Sequence, residues 1–424
     1  MSRLRAVFLF HRHGDRAPSK PLAGAATLAN DRAFWDDRIL TPKTAAADAA
    51  GAPFSFSLAN ALFPVLKPSG FSSTLHSSLR PPSLLPADPP FIDTGDRPYG
   101  YLSVLGMRGQ RRAGEHLSGR YLALLPSAAD DPAAAPAAPA PGFFERFDVQ
   151  VFSTSYLRTT LSAQGLLLGL LGSPDPSLPP PPPAAEPPEP IASIAVRDTK
   201  LCTMNAYDRD PEQMRELVRA VVSDPSFAAE DEARTEEIVE PLREHLPGLG
   251  ERGERVNWIQ LSDHFACRRA HGTRFLSYDP ASSPSPPPSE ALAAKLAPRA
   301  HEHLCWRFSR WFGSPPLLSS VAGPMLSEVS SGMRRAADSP PPARVPFTQF
   351  SCHDVSLLGL LRGIGAPLAS EPGFWPEYSA HLAFELHEGG GGEWRVRARY
   401  LEEEVLEASL GEFEDLVKKL EESK

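Results

Sequence analysis

The stretch "VFLFHRHGDRAPSKPL", residues 7–22, decides how this chain is read. Its first four residues, Val7 to Phe10, are all apolar, the pattern of a short strand buried on both faces. Gly14 then permits a sharp turn, and Pro18 keeps the segment from re-entering a ladder. Between the strand and Pro18 stand His11, Arg12, His13 and Arg16. A buried strand that ends in a knot of cations calls for an anion.

The cluster is local, because the chain as a whole is acidic. Its 424 residues carry a net charge of −9, which argues against a nucleic-acid binder and against docking on an anionic membrane. At 42% apolar residues a sizeable core is possible, and the length favours one large domain with a second, smaller one. No run of about 18 apolar residues marks a membrane-spanning helix. The first strand starts too close to Met1 for a signal peptide, so the expected location is cytoplasmic. Cys202, Cys267, Cys305 and Cys352 have neither CxxC spacing nor a zinc-site pattern with histidines. They are expected as reduced thiols, with no metal and no other cofactor.

Proline is the compositional oddity, 47 residues in clusters. Segments 129–142, 172–190, 279–289 and 338–346 cannot be helix or sheet interior and read as extended surface loops. A partner domain that takes PxxP ligands is the alternative use of them. Between the loops, ordered pieces alternate. Strands are expected at 6–10, 147–155 and 345–352. Helices are expected from Ser103 (as N-cap) to 125, at 159–172 closed by Gly172, at 289–312, 320–336 and 355–365, and in the tail from Ser409. Residues 381–400 alternate on either side of four glycines, as a hairpin does. Strands alternating with helices predict an α/β domain with a largely parallel sheet. The acidic, strand-poor stretch 196–288 predicts a helical cap inserted between 1–195 and 289–424, with loop insertions near 19–100, 129–142 and 172–190.

Three polar clusters sit just past three expected strands: Arg12, His13 and Arg16; Arg158; His353 and Asp354. In open α/β sheets ligands bind beyond the carboxyl ends of the strands, so the clusters can converge. Guanidinium forks match phosphate oxygens and never deprotonate, which makes this a poor metal site and a good phosphate site. A neutral imidazole can attack phosphorus, and neighbouring arginines keep it unprotonated by like-charge repulsion. An Asp beside the second His can protonate a leaving oxygen. Asp354 also stands where an N-cap for the helix 355–365 would.

These residues carry a resemblance. "RHGDRAP" (12–18) with a distant "HD" (353–354) resembles the histidine acid phosphatases, branch two of the histidine phosphatase superfamily, whose signature is RHGxRxP. Further likenesses are "LSVLGMRGQ" (102–110), with Gln110 one position late, and "STSYLRTTLSA" (153–163). "WIQLSDHF" (258–265), "GPMLSEV" (323–329) and "YSAHLAFEL" (378–386) extend them over most of the chain. The segment "HRHGDRAPSKPL" is most similar to the lysophosphatidic acid phosphatase subgroup. The resemblance implies a phosphoglycerate-mutase-like three-layer α/β/α fold with a helical cap. It implies His13 as the nucleophile that becomes phosphohistidine, and Arg12, Arg16, Arg158 and His353 as phosphoryl ligands. Asp354 is then the proton donor, no metal is used, and the partner is a small-molecule phosphate ester. The chain departs from the family at Ser155, where many members carry Asp, in its proline-rich insertions, and in having no disulfide pattern.

The remaining candidates have quieter readings. His11 should face away from Arg12, since side chains alternate along a strand. Cys352 reads as a small core thiol, and His264, His271, His301 and His303 as cap or surface residues. Acidic residues 402–404 read as a solvated face, and Glu385 is an inward or rim candidate by resemblance alone. The rival functions are a phosphoglycerate-mutase-like phosphotransferase, a phytase-like inositol polyphosphate phosphatase, an inactive phosphate-binding module, and a scaffold built on the proline loops.

Overall fold

The structure is a computed structural model that describes residues 2–21, 25–40, 73–76, 97–125, 142–172, 192–243, 257–272 and 290–423. Its first half runs β1 (Arg3–Arg12), α1 (Ala25–Asp36), β2 (Ser73–His76), α2 (Val104–Ala123), α3 (Phe143–Arg146), β3 (Phe147–Ser153), α4 (Leu157–Leu171) and β4 (Ala192–Val196). A run of helices comes next: α5 (Ala206–Arg209), α6 (Pro211–Val222), α7 (Pro225–Arg243), α8 (Trp258–Ala270), α9 (Glu290–Phe312) and α10 (Pro315–Asp338). The chain closes with β5 (Val345–Cys352), α11 (Asp354–Gly363), β6 (His381–Glu388), β7 (Trp394–Tyr400), β8 (Glu403–Ser409) and α12 (Leu410–Glu421). Most of 19–100 and the proline loops 129–142, 172–190 and 279–289 lie outside the described residues. The fourth proline segment is the exposed turn between α10 and β5.

The described strands form one sheet in the order β2-β4-β3-β5-β1-β6-β7-β8. The pairs from β2 to β1 are parallel, and those from β1 to β8 are antiparallel. The sheet is therefore mixed, with the expected parallel half and an antiparallel edge that begins with the expected hairpin, β6–β7. The third edge strand, β8, is an addition to the sequence reading.

Alternation along β1 divides the core into two layers. Val7 and Leu9 pack with Leu117 and Tyr121 of α2 and with Leu166 and Leu167 of α4. Ala6, Phe8 and Phe10 face the other way, onto α10, α11 and α12. On that second face phenylalanines line up across four neighbouring strands. Phe10 stacks on Phe350 at 4.4 Å, Phe152 stacks on Phe350 at 5.5 Å, and Phe384 meets Phe10 edge-on at 6.2 Å. This row lies behind the strand ends where the polar clusters begin. Helices α6, α7 and α8 pack around α9, and their apolar side chains join the same core as α10.

Two helices start at serine caps, the first of them expected as a cap from the sequence. Ser103 caps α2, its Oγ accepting from Gly106 N at 2.9 Å. Ser409 caps α12 in a reciprocal arrangement with Glu412. At the start of α2 the backbone passes so close to the turn after β1 that only glycine fits on either side. A Cβ on Gly14 would lie 2.3 Å from the Gly106 carbonyl oxygen, and one on Gly106 would lie 2.1 Å from that of Asp15. Both obstacles are backbone and cannot rotate away. Gly106→Ala should therefore lower the unfolding free energy by about 1–3 kcal/mol, the usual cost of overpacking. Urea denaturation reads this directly, and an unshifted midpoint would show that turn and helix do not pack this closely.

Candidate active site

The carboxyl ends of β1, β3 and β5 lie side by side, and the turn after each supplies polar side chains. At the end of β1, His13 N donates to the Cys352 carbonyl at 3.1 Å, so the ladder holds the backbone as far as His13. Gln110 of α2 donates to the Arg12 carbonyl at 2.6 Å, and Gly14 N donates to Ser162 Oγ of α4 at 3.0 Å. After β3, Thr154 leads into α4, whose first turn carries Arg158. After β5, His353 is the N-cap of α11 and Asp354 its first residue. The capping position expected for Asp354 thus belongs to His353.

All six sequence candidates, Arg12, His13, Arg16, Arg158, His353 and Asp354, line one cleft of about 1200 Å³. The His13 and His353 rings meet edge-on, 5.6 Å between centroids. His13 Nδ1 lies 2.9 Å from the Gly14 carbonyl oxygen. A carbonyl can only accept, so Nδ1 carries the proton and Nε2 keeps a free lone pair. Burial first, and then Arg158, Arg16 and Arg12, hold the pKa of His13 well below the ordinary histidine value. His353 is lowered by the same causes, and its Nε2 lies 3.1 Å from Thr154 Oγ1.

The three arginines are held differently. Arg12 pairs with Asp354 at 2.9 Å, donates to the Pro376 carbonyl at 2.6 Å, and lies 4.0 Å over the Tyr378 ring. Arg16 pairs with Asp263 of α8 at 2.8 Å, and the same carboxylate oxygen accepts from Ser19 N at 2.8 Å. Arg158 lies over the Tyr156 ring at 4.1 Å and has no carboxylate in salt-bridge range among the described residues. Burial, with repulsion from Arg16 as the second cause, pushes its pKa down to about 10, so it is still a cation at neutral pH. The Nε–H groups of all three arginines are buried without an acceptor among the described residues. Burial raises the Asp354 carboxyl, but Arg12 and Arg16 outweigh it and the net shift is downward. Its Oδ1 accepts from Val355 N at 2.8 Å and its Oδ2 from Trp375 Nε1 at 3.2 Å.

Several residues around the site were not singled out from sequence. Asp263 and Tyr378 stand in segments that carry the family resemblance but had no role of their own there, whereas Asn205, Asp208 and Trp375 carried no motif. Two histidines read as cap or surface belong to the site's surroundings. His301 lines the cleft, and His271 reaches Asp15 of the first motif at 2.7 Å. Asp15 Oδ2 also accepts from Ser103 Oγ at 2.5 Å. His264 and His303 are buried. His11 is fully buried on the α4 side, where its Nε2 accepts from Gln349 Nε2 at 3.0 Å. Glu385 is 1% exposed beneath α2, bound by Arg120 and Tyr121 and clear of the cleft. Cys352 is a buried thiol, and the four cysteines are free. Ser155 lies 3.4 Å from Thr199 through their hydroxyl oxygens. Glu403 and Glu404 are exposed on β8. Among the described residues no helix is long and apolar enough to cross a membrane.

Buried neutral histidines set the pH dependence of stability. His11 is lowered to about 3 and His381 to about 4, in each case mainly by burial, and His13 and His353 are lowered as well. Below about pH 6.5 the unfolded chain binds protons that the folded chain refuses, so stability rises with pH and falls on acidification. Each such histidine contributes about 1.4 kcal/mol per pH unit until its folded-state pKa is reached. The unfolding free energy should therefore drop by several kcal/mol between pH 7 and pH 5, and a flat profile would mean that these imidazoles are not buried neutral.

Comparison with known proteins bears on the same residues. The profile of the histidine phosphatase superfamily (branch 2) matches residues 3–402. Testicular acid phosphatase of Mus musculus is 27% identical over 304 residues, 68% of this chain but 60% of that protein, so the match spans less than two thirds of the relative. The phytase of Citrobacter braakii superposes over 99% of this chain and 98% of its own with a TM-score of 0.51 and 14% identity. The multiple inositol polyphosphate phosphatase of Bifidobacterium longum, in complex with inositol hexasulfate, superposes over 96% and 88% with a TM-score of 0.50 and 12% identity. At these identities the structural likeness speaks for the fold.

Proposed function

The chain belongs to the histidine phosphatase superfamily (branch 2), and on that premise we propose that it hydrolyses phosphomonoesters through a phosphohistidine formed on His13. The observation that carries the reading is the unprotonated Nε2 of His13 facing a cleft in which the buried Nε–H groups of Arg12, Arg16 and Arg158 lack acceptors among the described residues. Nε2 attacks phosphorus, the arginines and His353 take up charge on the equatorial oxygens, and the P–O bond to the alcohol breaks. Asp354 gives its proton to the leaving oxygen. It then takes a proton from the water that attacks the phosphohistidine, which releases phosphate and returns His13. Asp354 is held anionic by Arg12, and a phosphoryl dianion that shares Arg12 raises the carboxyl back toward its working range. Turnover of esters that need the acid should thus be best at acid pH and fall as pH rises through the pKa of Asp354 in the complex.

The finer reading is a lysophosphatidate-like substrate. Beyond the six residues, the cleft is walled by Tyr207, Ile259, Phe265, Leu304, Phe308, Val355, Phe374 and Trp375. Beyond the six, its described lining has Arg269 and His301 as basic residues, against Asp208, Asp263, Glu302 and Glu377. A single phosphate with an apolar tail suits that lining. An inositol polyphosphate would bring anions to carboxylates, which disfavours the phytase-like alternative.

Two sets of outcomes are expected, one for the mechanism and one for the substrate. With p-nitrophenyl phosphate at pH 4 to 8, wild-type protein turns over and His13→Ala does not; activity surviving in the variant overturns the mechanism. Asp354→Asn should cost about 100- to 10,000-fold on an alkyl phosphate and far less on the aryl ester, whose leaving group needs no proton. Second, KM for 1-acyl lysophosphatidates should fall about two- to fourfold per added methylene until the cleft is filled. Inositol hexakisphosphate should be a poor substrate, and a preference for it over lysophosphatidate would reverse the assignment.

A further inference from the structure

Among the polar residues of the cleft that the phosphoryl ligands leave unused, Asp208 stands out by its neighbours. Asp208, in the short helix α5, lines the cleft near Tyr156 and Arg158. Asn205 Nδ2 donates to Asp208 Oδ2 at 2.7 Å and fixes the carboxyl. The carboxyl also interacts with the Tyr156 phenol and with the Arg158 guanidinium. The Tyr156 ring in turn stands 5.0 Å from that of His353 and 4.1 Å from the Arg158 guanidinium carbon. Asp208 is thus linked through Tyr156 to His353 and Arg158, two of the residues assigned to the phosphoryl group.

The charges around it decide what it can take. A second phosphate would meet a carboxylate, and a substrate ammonium would meet Arg158. A neutral hydroxyl suits both neighbours. Two of the cleft carboxyls are also driven apart: Arg12 lowers Asp354, whereas burial raises Asp208. Groups pushed in opposite directions within one site serve different tasks. The Asp208 carboxyl, held on one oxygen by Asn205, can accept a hydrogen bond from a hydroxyl.

Resting on the phosphomonoesterase reading, we propose that Asp208, held by Asn205, binds a hydroxyl of the leaving alcohol next to the esterified carbon and so selects monophosphates of polyols over those of simple alcohols. The test compares kcat/KM for a 2-hydroxyalkyl phosphate and an alkyl phosphate of the same length. In the wild type the hydroxylated ester is preferred. In Asp208→Ala the ratio of the two should collapse about 10- to 100-fold, the worth of a hydrogen bond to a charged or buried partner. Asp208→Asn, which keeps an acceptor, should restore much of the ratio. An unchanged ratio in Asp208→Ala overturns the proposal even if both rates fall, because a merely structural role would lower both alike. Wild-type protein that cleaves neither ester nor p-nitrophenyl phosphate overturns the phosphomonoesterase reading itself, before any variant is made.

Discussion

Three guanidinium groups share one buried cleft at the ends of β1 and β3, and the cost of gathering like charges away from water governs the rest of the site. Two of them are balanced, Arg12 by Asp354 and Arg16 by Asp263. Arg158 lies on the face of Tyr156 with no carboxylate in salt-bridge range among the described residues, and the drop of its pKa to about 10 registers burial and the repulsion of Arg16. Among the described residues the site thus holds one more cation than it has paired carboxylates, together with buried donors that lack acceptors. Burial first, and then the same field, hold the pKa of His13 and His353 well below the ordinary histidine value. An uncharged imidazole and a surplus cation are consequences of one arrangement rather than separate devices.

The balancing carboxylates come from different layers of the fold. Asp354 opens α11, directly after the central strand β5. Asp263 comes from α8, in the helical stretch between β4 and β5, and it holds both the Arg16 side chain and the Ser19 backbone. His271, just past the end of α8, binds Asp15, which Ser103 holds from the start of α2. The helical stretch therefore does more than cover the cleft. It supplies a counter-charge without which Arg16 would be a second unbalanced cation, and it grips the turn that carries the first motif.

How much of this could be read from the chain depends on where each signal resides. The strands around the site were legible because fully buried strands are apolar runs that end abruptly in polar residues, as at Phe10–His11 and Cys352–His353. Gly14 was legible as a turn residue, but the tighter reason for it, the contact with Gly106, joins segments 92 residues apart and has no local signature. Strand β8 was missed because its outward positions are glutamates on a sheet edge, which read as a solvated run. Asp263, Asp208 and His271 were missed for a common reason. Each sits on or beside an otherwise ordinary helix, and only the tertiary packing of that helix points one polar side chain at the site.

On the proposed mechanism the nucleophile must be neutral while the acid is protonated, an awkward demand when both stand among arginines. Those arginines keep His13 neutral, and they also pull the proton from Asp354. What separates the two groups is connectivity. Nδ1 of His13 is tied to a carbonyl, so its neutrality rests on burial and on the summed field. The ionisation of Asp354 rests chiefly on one partner, Arg12, through a 2.9 Å contact. A phosphoryl group that engages Arg12 weakens that contact without moving His13 into water. Substrate binding then loads the acid and leaves the nucleophile as it was, so the protonation state needed for catalysis is one the substrate itself creates.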